Sequence, residues 1–245
     1  MNYPAGIIIL LLSIIGYVFA WRSFSNQKKI RALYLLVIIG FILRIYLSSD
    51  FFLHHWDEQY HALVAKNMMS HPFFPTLYEN PIFPYNYSEW SGNHIWVHKQ
   101  PMTLWTMALS MKLFGVNEIA LRLPSILMST IGIVVIYKLA KHFFNDRIAF
   151  MASFLFSING LIIELTSGRV ATDHVDIGFM FYVLLAVYAA IEFAKHQKTY
   201  LNILCGLFIA MAILTKWLPA LIVLPIWFFA LRYYNIYSKK VVLTQ

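Results

Sequence analysis

Long apolar runs separated by short polar clusters dominate the chain. The runs cover residues 4–21, 32–49, 119–140, 148–166, 177–194, 200–215 and 220–231. A helix needs about 20 residues to cross roughly 30 Å of hydrocarbon. The pattern predicts an all-α membrane protein, a polytopic helical bundle of about seven transmembrane helices. One polar stretch, 51–101, separates the second and third runs. Within it, residues 58–70 carry Tyr60, Leu63, Val64, Asn67 and Met68 at helical spacing. Pro72, Pro75, Pro81 and Pro84 then break the chain into irregular loop. Residues 102–114 are apolar but only ~20 Å long as a helix, which predicts a helix lying in the interface rather than across it.

Charge placement orients these runs. The chain has 19 Lys and Arg against 11 Asp and Glu, a net charge of +8. Most cations cluster at 22–31, 138–147, 195–198 and 232–240, where only Asp146 and, at the edge of the third, Glu192 join them. The positive-inside bias makes these segments cytoplasmic. The N-terminus and the loop 51–118 are then expected on the extracytoplasmic side of a cytoplasmic (inner) membrane. The same placement points the charge at the lipid bilayer and away from nucleic acid. Composition agrees: 60% of residues are hydrophobic and 12% charged, where a soluble domain is roughly 25% charged. The leading MNYPAG lacks the cations of a signal peptide and reads as the start of an uncleaved span. Cys205 is the single cysteine, so no intrachain disulfide forms. Arg44, near the outer end of its run, is expected to snorkel to the headgroups.

The outer polar segments carry the candidate chemistry. A carboxylate can accept a proton from an acceptor, and a fixed cation can offset charge growing on a departing phosphate. Asp57 and Glu58 are neighbours, about 100° apart on a helix, so one is expected to react and the other to orient. An acidic first turn favoured by the helix dipole explains the pair equally well. His98 and Lys99 precede Pro101 and the short apolar helix; an interfacial cation is the plainer reading. Arg169 and Asp173 are four apart and could pair as a helix-start salt bridge. Lys216 lies between apolar runs at the outer side, where snorkelling also accounts for it. The six histidines of 51–101 lack the zinc-protease pattern and have no cysteine nearby, so a dedicated zinc site is not expected. His98 is the one residue left open for an auxiliary divalent metal.

Taken in order, these pieces resemble the N-terminal half of the C-type glycosyltransferases of the protein O-mannosyltransferase and lipid A aminoarabinose transferase superfamily. The pieces are Asp57-Glu58 with Tyr60, Lys99 with Pro101, Arg122-Leu123-Pro124-Ser125, Arg169 with Asp173, and Lys216 in LTKWLP. The resemblance implies a membrane glycosyltransferase that moves a sugar from a polyprenyl-phosphate donor to a protein, lipid or glycan acceptor on the extracytoplasmic face. It makes Asp57 the main catalytic carboxylate and Glu58 its partner. Tyr60, Lys99, Arg169, Asp173 and Lys216 become substrate-binding residues. Lys99 and Arg169 are expected to close on one donor phosphate, with Asp57 and Asp173 as counter-charges. Family members often read Glu-Lys-Pro-Pro where this chain has His98-Lys99-Gln100-Pro101. The family usually has further spans, so the chain reads as a single domain, 1–245, forming the N-terminal part of a longer architecture or relying on a partner subunit for the rest. The competing class is a non-catalytic transporter or lipid-handling subunit, which would place charges and broken helices near the bilayer midplane.

Overall fold

A computed structural model describes residues 3–170 and 173–234. The described residues form ten α-helices: α1 (Tyr3–Ser25), α2 (Lys29–Leu47), α3 (Asp57–Met68), α4 (Pro101–Phe114), α5 (Glu118–Phe143), α6 (Asp146–Ser157), α7 (Gly160–Thr166), α8 (Asp173–His196), α9 (Thr199–Lys216) and α10 (Val223–Tyr233). Among them α1, α2, α5, α8 and α9 are each long and apolar enough to cross a membrane. The pair α6–α7, bent by 49°, is a sixth if taken as one broken span. The chain is thus an all-α integral membrane protein. The seventh expected run differs from the prediction. Trp217 takes a positive φ of 66°, a short 3-10 turn follows over Leu218–Ile222, and only the 11 residues of α10 remain helical. Lys239 and Lys240, expected in the last cytoplasmic segment, lie outside the described residues.

Local chemistry sets several helix ends. Asn117, Asn145 and Asn159 open α5, α6 and α7, each accepting the backbone N–H three residues on at 2.8–3.0 Å. Pro101 takes the first position of α4, where its missing N–H costs nothing. Pro124 sits inside α5 and leaves the carbonyl of Ala120 without its helical donor. Ser110 Oγ of α4 donates to that carbonyl at 2.6 Å and so ties the short helix to the long one.

Arg44 corrects an expectation. It does not snorkel; it is fully buried. The break between α6 and α7 exposes carbonyls that α6 can no longer bond internally. Arg44 donates to the carbonyl of Ser157 at 3.1 Å, with that of Phe156 3.5 Å away. It also reaches the carbonyl of Gly40 at 3.0 Å and Ser129 Oγ at 2.9 Å. A cation at the negative end of α6 is favoured by the helix dipole. Gly40 leaves room for this crossing, since a Cβ there would lie 2.5 Å from Ile133 Cδ1.

The loop after α2 has its own core. Leu77 and Trp96 are buried with Val64 and Met68 of α3 and Leu104 and Met107 of α4. Asn67 Nδ2 donates to the carbonyls of Thr76 and Leu77, at 2.9 and 3.2 Å. Trp105 Nε1 donates to that of Pro72 at 2.6 Å. The proline-rich segment is therefore pinned to α3 and α4, and α3 in turn touches α8.

Candidate active site

The site begins at the N-terminus of α3, where adjacent carboxylates meet opposite surroundings. Trp56, just before the helix, has φ 71° and ψ −125°. A non-glycine residue there costs on the order of 1–3 kcal/mol and persists only where its surroundings hold it. The turn sends Glu58 inward and leaves Asp57 half-buried at the surface.

Glu58 is 1% exposed and saturated with donors. Arg122 Nε donates to its Oε1 at 2.7 Å and Nη2 to its Oε2 at 3.0 Å. The backbone N–H of His54 donates to Oε2 at 2.6 Å, with His54 Nδ1 2.8 Å away. His174 Nε2 lies 3.2 Å from Oε1, and Ser125 Oγ is 2.6 Å from His174 Nδ1. Arg122 spends its remaining donors on the carbonyls of Ser48, Asp50 and Phe52 at 2.7–2.8 Å. This one guanidinium fixes the turn that links α2 to α3. Burial alone would raise the Glu58 pKa; the hydrogen bonds from His174 and Arg122 outweigh it and hold it at about 2. Gly168, at φ 73°, closes over the carboxylate so tightly that a Cβ would lie 2.5 Å from Oε1.

Asp57 has a simpler partner. Lys99 Nζ lies 3.3 Å from its Oδ2, both side chains keeping partial solvent access. Tyr60, one turn along α3, packs on Trp90 and Trp96 at ring distances of 4.8 and 5.7 Å. His98 stacks on Trp90 at 4.9 Å. Desolvation, and then the neighbouring Lys99 ammonium, push its imidazole below the usual value, which favours the neutral ring. Among the described residues, no three His, Cys, Asp or Glu side chains are grouped so that they could hold a metal ion.

The other expected residues fall around this centre. Arg169 Nη2 donates to Asp50 Oδ2 at 2.8 Å and to the carbonyl of Leu47 at 2.9 Å. His54 Nε2 lies 3.3 Å from the same Asp50 oxygen, so Asp50 joins Arg169 to the Glu58 cluster. Asp173 opens α8, but its side chain lies outside the described residues. Lys216, at the end of α9, pairs with Asp176 in the first turn of α8. Lys99 and Arg169, expected to face one phosphate, thus each engage a different carboxylate. Sequence reasoning gave no role to Arg122, His54, His174, Asp50 or Ser125. One signal was available: Arg122 is a cation inside an apolar run, and such residues face the bundle interior.

Comparison with known proteins fits this arrangement. Residues 98–243 match the family model described as dolichyl-phosphate-mannose-protein mannosyltransferase. The chain belongs to this family. The match includes Lys99, Arg122, Arg169, Asp173 and Lys216, and starts after Asp57 and Glu58. A protein of Aquifex aeolicus is 31% identical over 194 residues, 78% of this chain and 36% of its own length. Undecaprenyl phosphate-alpha-4-amino-4-deoxy-L-arabinose arabinosyl transferases are also similar. The one from Pseudomonas aeruginosa UCBPP-PA14 is 30% identical over 131 residues, 49% of this chain and 23% of its own. The one from Pseudomonas fluorescens Pf-5 is 28% identical over 166 residues, 61% and 30%. The chain therefore matches about a third or less of the length of these relatives. No solved structure matches it.

Proposed function

We propose that the chain carries the catalytic face of a membrane glycosyltransferase. It would transfer a sugar from a polyprenyl-phosphate donor to an acceptor on the extracytoplasmic side. The observation that carries this reading is the split between Glu58 and Asp57. One carboxylate is locked in place, and its neighbour stands half-open against a lysine. In this reading Asp57 is the general base. It takes the proton from the acceptor nucleophile as that atom bonds to the anomeric carbon. The bond between the anomeric carbon and the phosphate oxygen breaks, and polyprenyl phosphate leaves with one more negative charge than it had in the donor. Lys99 exchanges Asp57 for that phosphate, and Arg169 and Lys216 supply further positive charge at the same face. Tyr60 supports the donor sugar, and Asp173 lies at the start of the helix that brings in His174. Glu58 is a positioning residue, held by Arg122.

The transporter reading draws on the broken span α6–α7 with Arg44 buried beside it. Yet the guanidinium bonds found there end on carbonyls and a hydroxyl of the bundle itself, which explains Arg44 as a cap on the break.

The experiment is release of undecaprenyl phosphate from an undecaprenyl-phosphate sugar by the reconstituted protein. Asp57→Asn keeps the shape and removes the base, and should lower turnover by roughly 10²-fold or more. Near-normal turnover in a folded Asp57→Asn protein would reject the assignment.

A further inference from the structure

The loop between α3 and α4 contains a cavity that the site above does not use. It has a volume of about 490 Å³ and is lined by Tyr78, Asn80, Phe83, Asn86, Ser91 and His94, together with Pro81, Ile82 and Pro84 of the loop tip and Gly92. That volume lies in the usual range for small-ligand pockets.

The lining combines two kinds of surface. Apolar surface comes from the rings of Tyr78 and Phe83 and from Pro81, Ile82 and Pro84, and Tyr85 packs against His94 at 5.2 Å. Hydrogen-bonding groups come from the amides of Asn80 and Asn86, the hydroxyl of Ser91 and the imidazole of His94. Among the described residues that line it, none is Lys, Arg, Asp or Glu.

The walls are internally braced. Tyr78 donates its hydroxyl to the carbonyl of Ser91 at 2.9 Å. His94 Nε2 lies 3.2 Å from the carbonyl of Phe83 and must donate to it, because a carbonyl only accepts. Asn86 Oδ1 accepts from Ser88 at 2.6 and 3.0 Å, which leaves its amide N–H groups for another partner. Asn80 and Phe83 are exposed and carry no side-chain bond to the rest of the loop, Phe83 at 80%.

A pyranose ring presents this same pair of surfaces: a C–H face that packs on an aromatic ring, and hydroxyls or an acetamido group that bond to amides. A charged sugar would find no counter-charge in the lining and would lose hydration without replacement.

The cavity is also joined to the proposed reacting centre. Trp90 is the bridge. Its chain neighbours Ser91 and Gly92 line the cavity, while its ring packs on Tyr60 and His98, next to Asp57 and Lys99.

We infer that this loop cavity binds an uncharged saccharide ring, the sugar portion of the acceptor. The assignment to the acceptor rests on the glycosyltransferase reading; the binding itself does not.

The test uses the full chain in lipid nanodiscs and two soluble probes of one shape: chitotriose, which is neutral, and its fully deacetylated, cationic form. Saturation-transfer NMR and a titration read binding directly. Chitotriose should bind saturably, and the deacetylated trimer at least about tenfold more weakly. The double variant Asn80→Ala/Phe83→Ala removes one amide and one ring from exposed positions and should weaken chitotriose by about tenfold, equivalent to ~1.4 kcal/mol. Asp57→Asn should leave binding unchanged while removing transfer, so loss of one does not imply loss of the other. No saturable chitotriose binding, equal binding of both probes, or an unaffected double variant would overturn the inference. So would protection of an introduced Ile82→Cys thiol from an aqueous reagent, since that outcome puts the apolar tip in the lipid instead.

Discussion

Glu58 and Asp57 are one residue apart, and the protein treats them as different materials. Glu58 is shut off from solvent among several donors; Asp57 keeps partial solvent access beside one lysine. The buried region is closed on every side: Arg122 reaches three carbonyls as well as the carboxylate, and His174 is itself bonded to Ser125. The open region consists of isolated pairs, Asp57 with Lys99 and Asp176 with Lys216, each keeping solvent on both partners. A saturated ion network cannot take up a substrate without unfolding around it. A partly exposed pair gives up less when a phosphate replaces one member, because pairs at the surface are worth only about 0–1 kcal/mol. In the proposed function, binding chemistry therefore belongs to the open region, and shape to the closed one.

The largest test of that difference is to break the closed region. Arg122→Met leaves Glu58 buried without its main counter-charge, and loss of one partner from a buried pair costs about 3–5 kcal/mol. Unfolding in detergent should show that loss, and adding Glu58→Gln to Arg122→Met should restore part of it. A cost below about 1 kcal/mol for Arg122→Met would mean the network is not structural.

Gly168→Ala probes the same enclosure sterically. The new Cβ meets the Glu58 carboxylate, and φ 73° disfavours any side chain. The expected destabilisation is on the order of 2 kcal/mol, read by the same unfolding measurement.

Acid offers a gentler probe. The folded Glu58 pKa is about 2 against an ordinary 4.5. A depressed carboxylate pKa contributes stability above the unfolded value and loses it as pH falls toward the folded one. Stability should therefore decline between about pH 4.5 and 2, and Glu58→Gln should flatten that part of the profile.

The difference between the regions also marks how far the sequence could be read. Hydropathy placed the long helices, because a run such as 4–21 has no other way to satisfy its backbone in lipid. The helix after Asp57 and the short helix after Pro101 were legible from spacing and from proline. Lys99 and Asp57 stood out as candidates because they lie in a polar stretch between apolar runs. The enclosure of Glu58 was not legible. It joins Asp50 and His54 to Arg122 and His174 across long separations, and periodicity gives depth along a span but not which way a residue turns around it. The same gap sent Arg44 toward the headgroups in the sequence reading, while the bent span draws it inward. Nor did the sequence reading foresee that the Arg169 guanidinium meets Asp50 on the turn after α2.

The division of labour between the two acids is tested most directly by comparing Asp57→Asn and Glu58→Gln in one unfolding experiment on the reconstituted protein, with turnover recorded alongside. The account predicts that Glu58→Gln lowers stability by several times the cost of Asp57→Asn, which should stay within about 1 kcal/mol of the parent, while Asp57→Asn lowers transfer by roughly 10²-fold or more in a fully folded protein. Equal destabilisation by the two substitutions, or near-normal transfer in Asp57→Asn, would contradict it.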